Sequence, residues 1–468
     1  MNAQDIATTQ GGPSLTRQFA NYWSSVSYEE LPPEVVAMCK RLLLDTLLVG
    51  ARGADSDDAR ATTAGAADAF GPLAGPSALW DGSGRTAAPA VAALINGTAT
   101  HALEFDDFGG CGHSSAVVVP AVCAIAEAEG IDGRGMIRAL AAGYDLAHRM
   151  TAGVGGYRPH NDRGWHSTGT CGTFGAAAGA AAALGLDAER FTWALGIASS
   201  NAAGTWSYLG DGAMTKRFHP GRATSNGVVS AYLARSGLTG PAQALEARWG
   251  GFFSTYCGPE AVPEAVIDKL GVAFGVMTAG IKLFPCCRGL HSSIEALLDI
   301  MSETPCTGEE IDTIIVHGAE RTRRQFSKRE MTTILDGQFS LPYALASIAT
   351  SGDATLEEFI PLRTGDPRVA ALMERVEVRA DRPLGPYDEP DVEVILKDGR
   401  QLAKHVPVSK GAAARPPSDA ELARKHAAIA APVFEPEAFK ALGAMIAGLE
   451  DLKDFRDCTR LLTSGRRR

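Results

Sequence analysis

Residues 171–186 read CGTFGAAAGAAAALGL, and this stretch decides the class of fold. It is apolar without being bulky: Ala and Gly stand where Leu and Ile would fill an ordinary core. A helix with such a surface buries itself by letting neighbouring backbones come close, so the reading is a tightly packed helical domain. The run is also shorter than the roughly 20 residues a membrane span requires. Working towards the N-terminus, residues 31–53 read LPPEVVAMCKRLLLDTLLVGARG. Pro32 and Pro33 suit a first turn, where a missing N–H costs nothing. Val35, Met38, Cys39, Leu42, Leu43 and Leu47 then recur at helical spacing as far as Gly50 and Gly53. Similar patterns predict helices over 88–103, 116–129, 135–148, 171–184, 187–199 and 223–236. No hairpin signal precedes about residue 270.

Beyond that point the texture changes. DTIIVH (312–317) is strand-like, a second strand begins at Val376, and residues 392–396 alternate. Asp398-Gly399 then leads into a further run over 401–408, a hairpin signal. Helices are expected at 290–302, 339–351 and 368–375. The chain returns to helices after Pro416-Pro417, with Ser418 and Glu421 at capping-box spacing. This predicts a smaller α+β domain over 272–408, and a helical domain over 1–271 and 409–468.

Bulk properties narrow the function. At 468 residues, with 45% hydrophobic and 21% charged, the chain can build a large core and more than one domain. Its 44 basic and 54 acidic residues leave a net charge of −10. No long basic block interrupts this, so nucleic acid is not expected as a partner. Arg466-Arg467-Arg468 reads as a solvated tail. The N-terminus MNAQDIATTQGGPS shows neither an apolar stretch nor a cleavage pattern, so a cytoplasmic protein is expected. Nine cysteines, an odd count, are then expected as free thiols. The acceptor pattern Asn96-Gly97-Thr98 is expected to be idle.

Four segments carry chemistry. In HALEFDDFGGCGHSS (101–115), Glu104, Asp106 and Asp107 precede a glycine loop and then His113. Glycines allow tight turns beside a ligand, and a histidine with a pKa of about 6.5 can trade protons near neutrality. The plainer reading is an acidic helix end followed by a loop. GWHSTGTCG (164–172) leads into the Ala-rich helix. Its N–H groups, with Ser167, Thr168 and Thr170, suit an anion beside His166, although simple capping would also explain them. DGAMTKRFHPGR (211–222) gathers Lys216, Arg217, His219 and Arg222, donors suited to a carboxylate, or else a solvated basic loop. KLFPCCRGLH (282–291) contains Lys282 and Arg288. Its adjacent Cys286 and Cys287 lack metal or redox spacing and read as structural thiols. No nucleotide-binding glycine motif and no G-x-S-x-G occurs. Cys111, His113, Asp106 and Asp107 fall short of four well-spaced ligands, so no metal is expected.

Taken together and in this order, these segments resemble the 2-methylcitrate dehydratase (MmgE/PrpD) family. The resemblance also rests on NGTATHALEFDD (96–107), HSSAVVVPAVCAIAEAEG (113–130), KRFHPGRATSNGVVSAYLARSGLTGP (216–241), QFSLPYALA (338–346) and PPSDAELARKH (416–426). It implies a mainly α protein: a large all-helical domain completed by the C-terminal segment, plus a smaller α+β lid domain. It also implies a homodimer, a small carboxylate substrate, and catalysis with no metal or organic cofactor. Family members include 2-methylcitrate dehydratases, cis-aconitate decarboxylases and iminodisuccinate epimerases. Carried over by position, the catalytic set implied is Glu104, His113, His166, Lys216, Lys282 and Tyr343. Asp107, Phe108, Thr168, Arg217, His219, Arg222 and Arg288 are expected to bind substrate.

The chemistry suits that inventory. Removing a proton beside a carboxylate makes an enolate-like dianion, which positioned cations and N–H donors stabilise. The chain departs from the family pattern at Phe108, where Thr is common, at Ser114 and Ser167, where Pro follows the histidines, and at Glu104, usually Asp. Phe108 replaces a hydroxyl donor with apolar bulk, so a substrate other than 2-methylcitrate or cis-aconitate is expected. The expected activity is that of a hydro-lyase on a small hydroxy-carboxylate. An epimerase, isomerase or decarboxylase on the same scaffold is the alternative, and a non-catalytic carboxylate-binding protein is the alternative of another class.

Overall fold

A computed structural model describes residues 12–385 and 388–467. Most of the N-terminal stretch read above for a leader, and Arg468 of the terminal basic run, lie outside the described residues. The chain divides into two compact units, Met1–Gly280 with Ala423–Arg468, and Ile281–Leu422. The architecture is mainly α, with a small α+β part.

In the first unit the helix Ser167–Ala183 lies at the centre, buried at every position from Ser167 to Ala182. A helix without a polar face belongs inside a core. Around it pack the helices Ser114–Glu129, Gly133–Gly153, Ala188–Ser199 and Thr215–Arg235, and Pro89–His101 lies against Ser114–Glu129 and Thr215–Arg235. The contacts are backbone-close. A Cβ placed on Gly175 would lie 2.7 Å from Ala147 Cβ and 3.0 Å from the carbonyl of Gly143. Pro33–Gly53 begins at the expected proline and supplies Leu42, Leu43, Leu47 and Leu48 to the core.

Two local expectations need correction. The helix expected from residue 223 begins at Thr215 and runs through Pro220, so the basic segment is two helical turns rather than a loop. Proline there removes only one intrahelical N–H, and the buried side chains of Lys216 and Arg217 hold the turn in place. A hairpin also occurs before residue 270. Ser77–Ala78 pairs antiparallel with Thr86–Ala87, in strands too short for alternation to reveal.

In the second unit a four-stranded sheet runs in the order Val376–Ala380, Ile311–Gly318, Asp391–Leu396, Gln401–His405. Its first pair is parallel and the other two are antiparallel. Val392, Val394 and Leu396 face inward, and Gly399 takes φ +91° in the expected turn. The helices His291–Glu303 and Leu341–Ser351 pack against the sheet. Among the described residues, no helix is long and apolar enough to cross a membrane. None of the nine cysteines is in a disulfide.

One buried acid ties the hairpin to the helical core. Glu127 Oε2 accepts the N–H of Ala78 at 3.0 Å. Burial pushes its carboxyl from 4.5 to about 7, against the pull of its bonds to Thr459 and Ala78. Because the folded-state value is raised, the group's stabilising contribution is complete below about pH 4.5 and is lost as pH rises through about 7. The loss is on the order of 3 kcal/mol. Glu127→Gln is expected to remove this dependence. Urea unfolding of both proteins between pH 4.5 and 8 checks it: their stability difference changes with pH if Glu127 titrates this way, and stays constant if it does not.

Candidate active site

The site is assembled at helix ends. His101 is the last residue of Pro89–His101, while His113 and His166 are the residues preceding Ser114–Glu129 and Ser167–Ala183. Lys216 lies in the first turn of Thr215–Arg235. The two helices carrying His101 and Lys216 cross where both lack side chains. A Cβ on Gly97 would lie 3.0 Å from Gly221 Cα, and one on Gly221 would lie 2.5 Å from the carbonyl of Leu94. Gly97 precedes His101 by one turn and Gly221 follows Lys216 by little more, so this crossing brings the two side chains together.

Lys216 Nζ donates to Glu104 Oε1 and lies 2.7 Å from His101 Nε2. The other ring nitrogen of His101, Nδ1, lies 2.8 Å from Asp106 Oδ2. Burial, followed by the Lys216 charge, depresses His101 to about 3, so the ring is neutral. His113 stacks at a tilt against His101, with ring centroids 4.2 Å apart. Its Nδ1 lies 2.9 Å from the carbonyl of Asp107 and 3.4 Å from Asp106 Oδ2. A carbonyl only accepts, so the proton of neutral His113 sits on Nδ1 and Nε2 is left basic. Unlike the rest of this group, His113 is partly exposed.

His166 and His219 face one another with Nδ1 atoms 2.9 Å apart. They can share only one proton there, so neutral rings take opposite tautomers. Burial, then His219, holds His166 well below the usual range; burial and Lys216 lower His219 to about 4. Trp206 and Tyr208 meet the His166 ring edge-on. Asp107 turns Oδ1 to the N–H and hydroxyl of Ser115, at 3.0 and 2.8 Å. Burial and then Asp106 raise its carboxyl well above the ordinary value. Arg217 comes within 4.0 Å of Glu104. Thr168 is buried, its hydroxyl 3.5 Å from the carbonyl of Cys111. Phe108 is half-buried, and Arg222 is exposed on the outer face of its helix.

The remaining expected residues belong to the second unit. Lys282 is fully buried. Arg288 pairs with Glu389 at 2.7 Å. The Tyr343 hydroxyl donates to the carbonyl of Glu358 at 2.5 Å and accepts the N–H of Arg363 at 2.8 Å, so its proton is committed to the backbone.

Three partners fall outside the catalytic and binding sets expected from the sequence. His101 and Asp106 lie inside the quoted motif, and a histidine paired with a carboxylate five residues on was the available signal. Lys425 gave none: from the C-terminal segment it donates to Asp45 at 2.7 Å and to the carbonyl of Phe105 at 2.8 Å. It thereby fixes the loop that carries Glu104 and Asp106. Burial alone would raise the Asp45 carboxyl, but Lys425 and then His426 hold it below its usual value. The ligand atoms of His101, Asp106 and His113 fall within 4.8 Å of one another, a spacing a metal ion can bridge. However, the Lys216 ammonium already occupies the far nitrogen of His101, and a second cation would be repelled there.

The chain is a member of the MmgE/PrpD family: residues 17–265 match the MmgE/PrpD N-terminal domain and residues 284–451 the MmgE/PrpD C-terminal domain. The cis-aconitate decarboxylase-like protein oryM of Aspergillus oryzae is 27% identical over 483 residues, covering 96% of this chain and 97% of that protein. Human cis-aconitate decarboxylase is 26% identical over 96% of this chain and 94% of its own. That of Aspergillus terreus is 26% identical over 97% of both.

Lys425→Met is expected to leave the buried Asp45 carboxylate with His426 as its remaining partner and cost about 3–5 kcal/mol. Urea unfolding measures this, and a loss below about 1 kcal/mol would mean that Lys425 does not hold the loop.

Proposed function

We propose that the protein is a lyase that acts on a small carboxylate through a carbanion formed beside the carboxyl group, with no cofactor taking part. The observation that carries this reading is the fixed tautomer of His113, which leaves Nε2 bare and partly exposed close to the Lys216 cluster. In the dehydratase form of the reaction, Nε2 takes the proton α to the carboxylate. The electron pair left behind forms the double bond, and the β-hydroxyl departs with a proton from Lys216 as water. Lys216 and Arg217 offset the charge that develops on the carboxylate. A positioned donor of this kind contributes about 3–4 kcal/mol to the transition state.

Charge balance supports a substrate with fewer carboxylates than a tricarboxylate. Lys216 and Arg217 are already opposed by Glu104, and Phe108 supplies no hydroxyl. A second reading, decarboxylation, is favoured by the names of the relatives. It needs a cation for the remaining carboxylate and a proton delivered to the carbon that loses carbon dioxide, both of which this group of side chains can supply.

NMR of candidate mono- and dicarboxylic acids, with and without a hydroxyl, in D2O separates these readings. Loss of water supports the dehydratase and loss of carbon dioxide the decarboxylase; deuterium uptake with inverted configuration would make it an epimerase. Binding without exchange or turnover would overturn the enzymatic proposal. On the acid that is turned over, Lys216→Ala is expected to lower kcat by on the order of a hundred- to a thousandfold. His113→Asn should lower it by about a hundred- to ten-thousandfold. Undiminished turnover in either variant would remove that residue from the mechanism.

A further inference from the structure

We propose that His101 is a positioning residue, clamped by Asp106 so that its bare Nε2 accepts from Lys216 and fixes where that ammonium points. This rests on the reading of Lys216 as the charge that meets the substrate, and deepens it.

Geometry carries the argument. His101 is fully buried at the end of its helix, and both ring nitrogens are used inside the cluster: Nδ1 lies 2.8 Å from Asp106 and Nε2 lies 2.7 Å from Lys216. The ring therefore offers neither nitrogen to a substrate. An ammonium only donates, so Nε2 must accept and the ring proton must sit on Nδ1. The Asp106 carboxylate selects that tautomer. The opposite tautomer would aim an N–H at the ammonium, and a doubly protonated ring would place two cations in contact. Burial and the Lys216 charge, which hold His101 near 3, agree with a ring that stays neutral.

Lysine has four rotatable side-chain bonds, and ordering such a chain costs conformational entropy. Glu104 neutralises the ammonium but does not by itself fix its direction. A second acceptor on a rigid ring does, because it makes Nζ one vertex of a triangle with Glu104 Oε1 and His101 Nε2, which are 3.5 Å apart. The Asp106–His101–Lys216 line is thus a support that reaches the reacting group without touching substrate.

Two measurements test this. In the full chain labelled with 15N-histidine, the His101 signals are those lost in His101→Gln, and two-bond nitrogen–proton correlations show which nitrogen carries the proton. The expected result is a neutral ring protonated at Nδ1 from pH 6 to 8; a proton on Nε2, or on both nitrogens, would overturn the proposal. This arm needs no substrate, so it remains decisive even if no carboxylate is turned over and the lyase reading fails.

The second arm compares His101→Gln with His101→Asn on whichever acid is turned over. The glutamine amide reaches the Nε2 position and can accept from Lys216; the asparagine amide reaches only the Nδ1 position. The asparagine variant is expected to lose kcat by about ten- to a hundredfold with KM little changed, and the glutamine variant to recover most of that loss. Equal losses in both, or no loss in either, would leave His101 a packing residue only.

Discussion

Two helix backbones meet at Gly97 and Gly221, and the site depends on how closely they can approach. A side chain at either position would push Pro89–His101 away from Thr215–Arg235. Each helix end would then carry its functional residue outward, and the 2.7 Å contact between Lys216 and His101 would open by more than a hydrogen bond tolerates. The small-residue surface therefore does more than pack a core. It brings helix ends together, and helix ends are where His101, His113, His166 and Lys216 lie. The central Ala-rich helix serves the same purpose, since Thr168 and Ser167 at its start meet the carbonyl of Cys111 in the glycine loop.

A group of titratable side chains this close needs a rule for where each proton sits, and here the fixed acceptors supply it. The carbonyl of Asp107 settles His113, the carboxylate of Asp106 settles His101, and the Nδ1 contact between His166 and His219 forces opposite tautomers on that pair. Burial keeps three of the four rings neutral in the face of Lys216. The result is a low-dielectric environment in which each ring has a fixed hydrogen-bond partner, and the His113 ring is partly exposed. Such preorganisation costs nothing at the moment of reaction.

How much of this could be read from the chain depends on the range over which each signal acts. The helical core was legible because Ala and Gly at 171–186 constrain packing locally, and the sheet was legible from alternation at 392–396 and Asp398-Gly399. The start of Thr215–Arg235 was not, because Pro220 among Lys216, Arg217, His219 and Arg222 imitates a loop until the burial of Lys216 and Arg217 is known. The ribbon at Ser77–Ala78 has too few residues to show a period. His113, His166 and Lys216 stand out by residue type, whereas the centrality of Asp106 emerges only from distances. Lys425 lies 380 positions from Asp45, beyond the reach of any local pattern.

Glu104 shows why such a site departs from local preference. Its φ of +54° places it in the left-handed region, a conformation that costs a non-glycine residue about 1–3 kcal/mol. Asp or Asn would enter that region more readily, because a short polar side chain can bond to its own backbone there. Glutamate is therefore the poorer backbone choice, and its reach must account for it. One extra carbon carries the carboxylate to Lys216, while Lys425 holds the next carbonyl, that of Phe105, and keeps the turn from relaxing. Shortening the side chain would ease the backbone but withdraw the counter-charge from the Lys216 ammonium. The strained turn and the charge balance are thus two consequences of one residue.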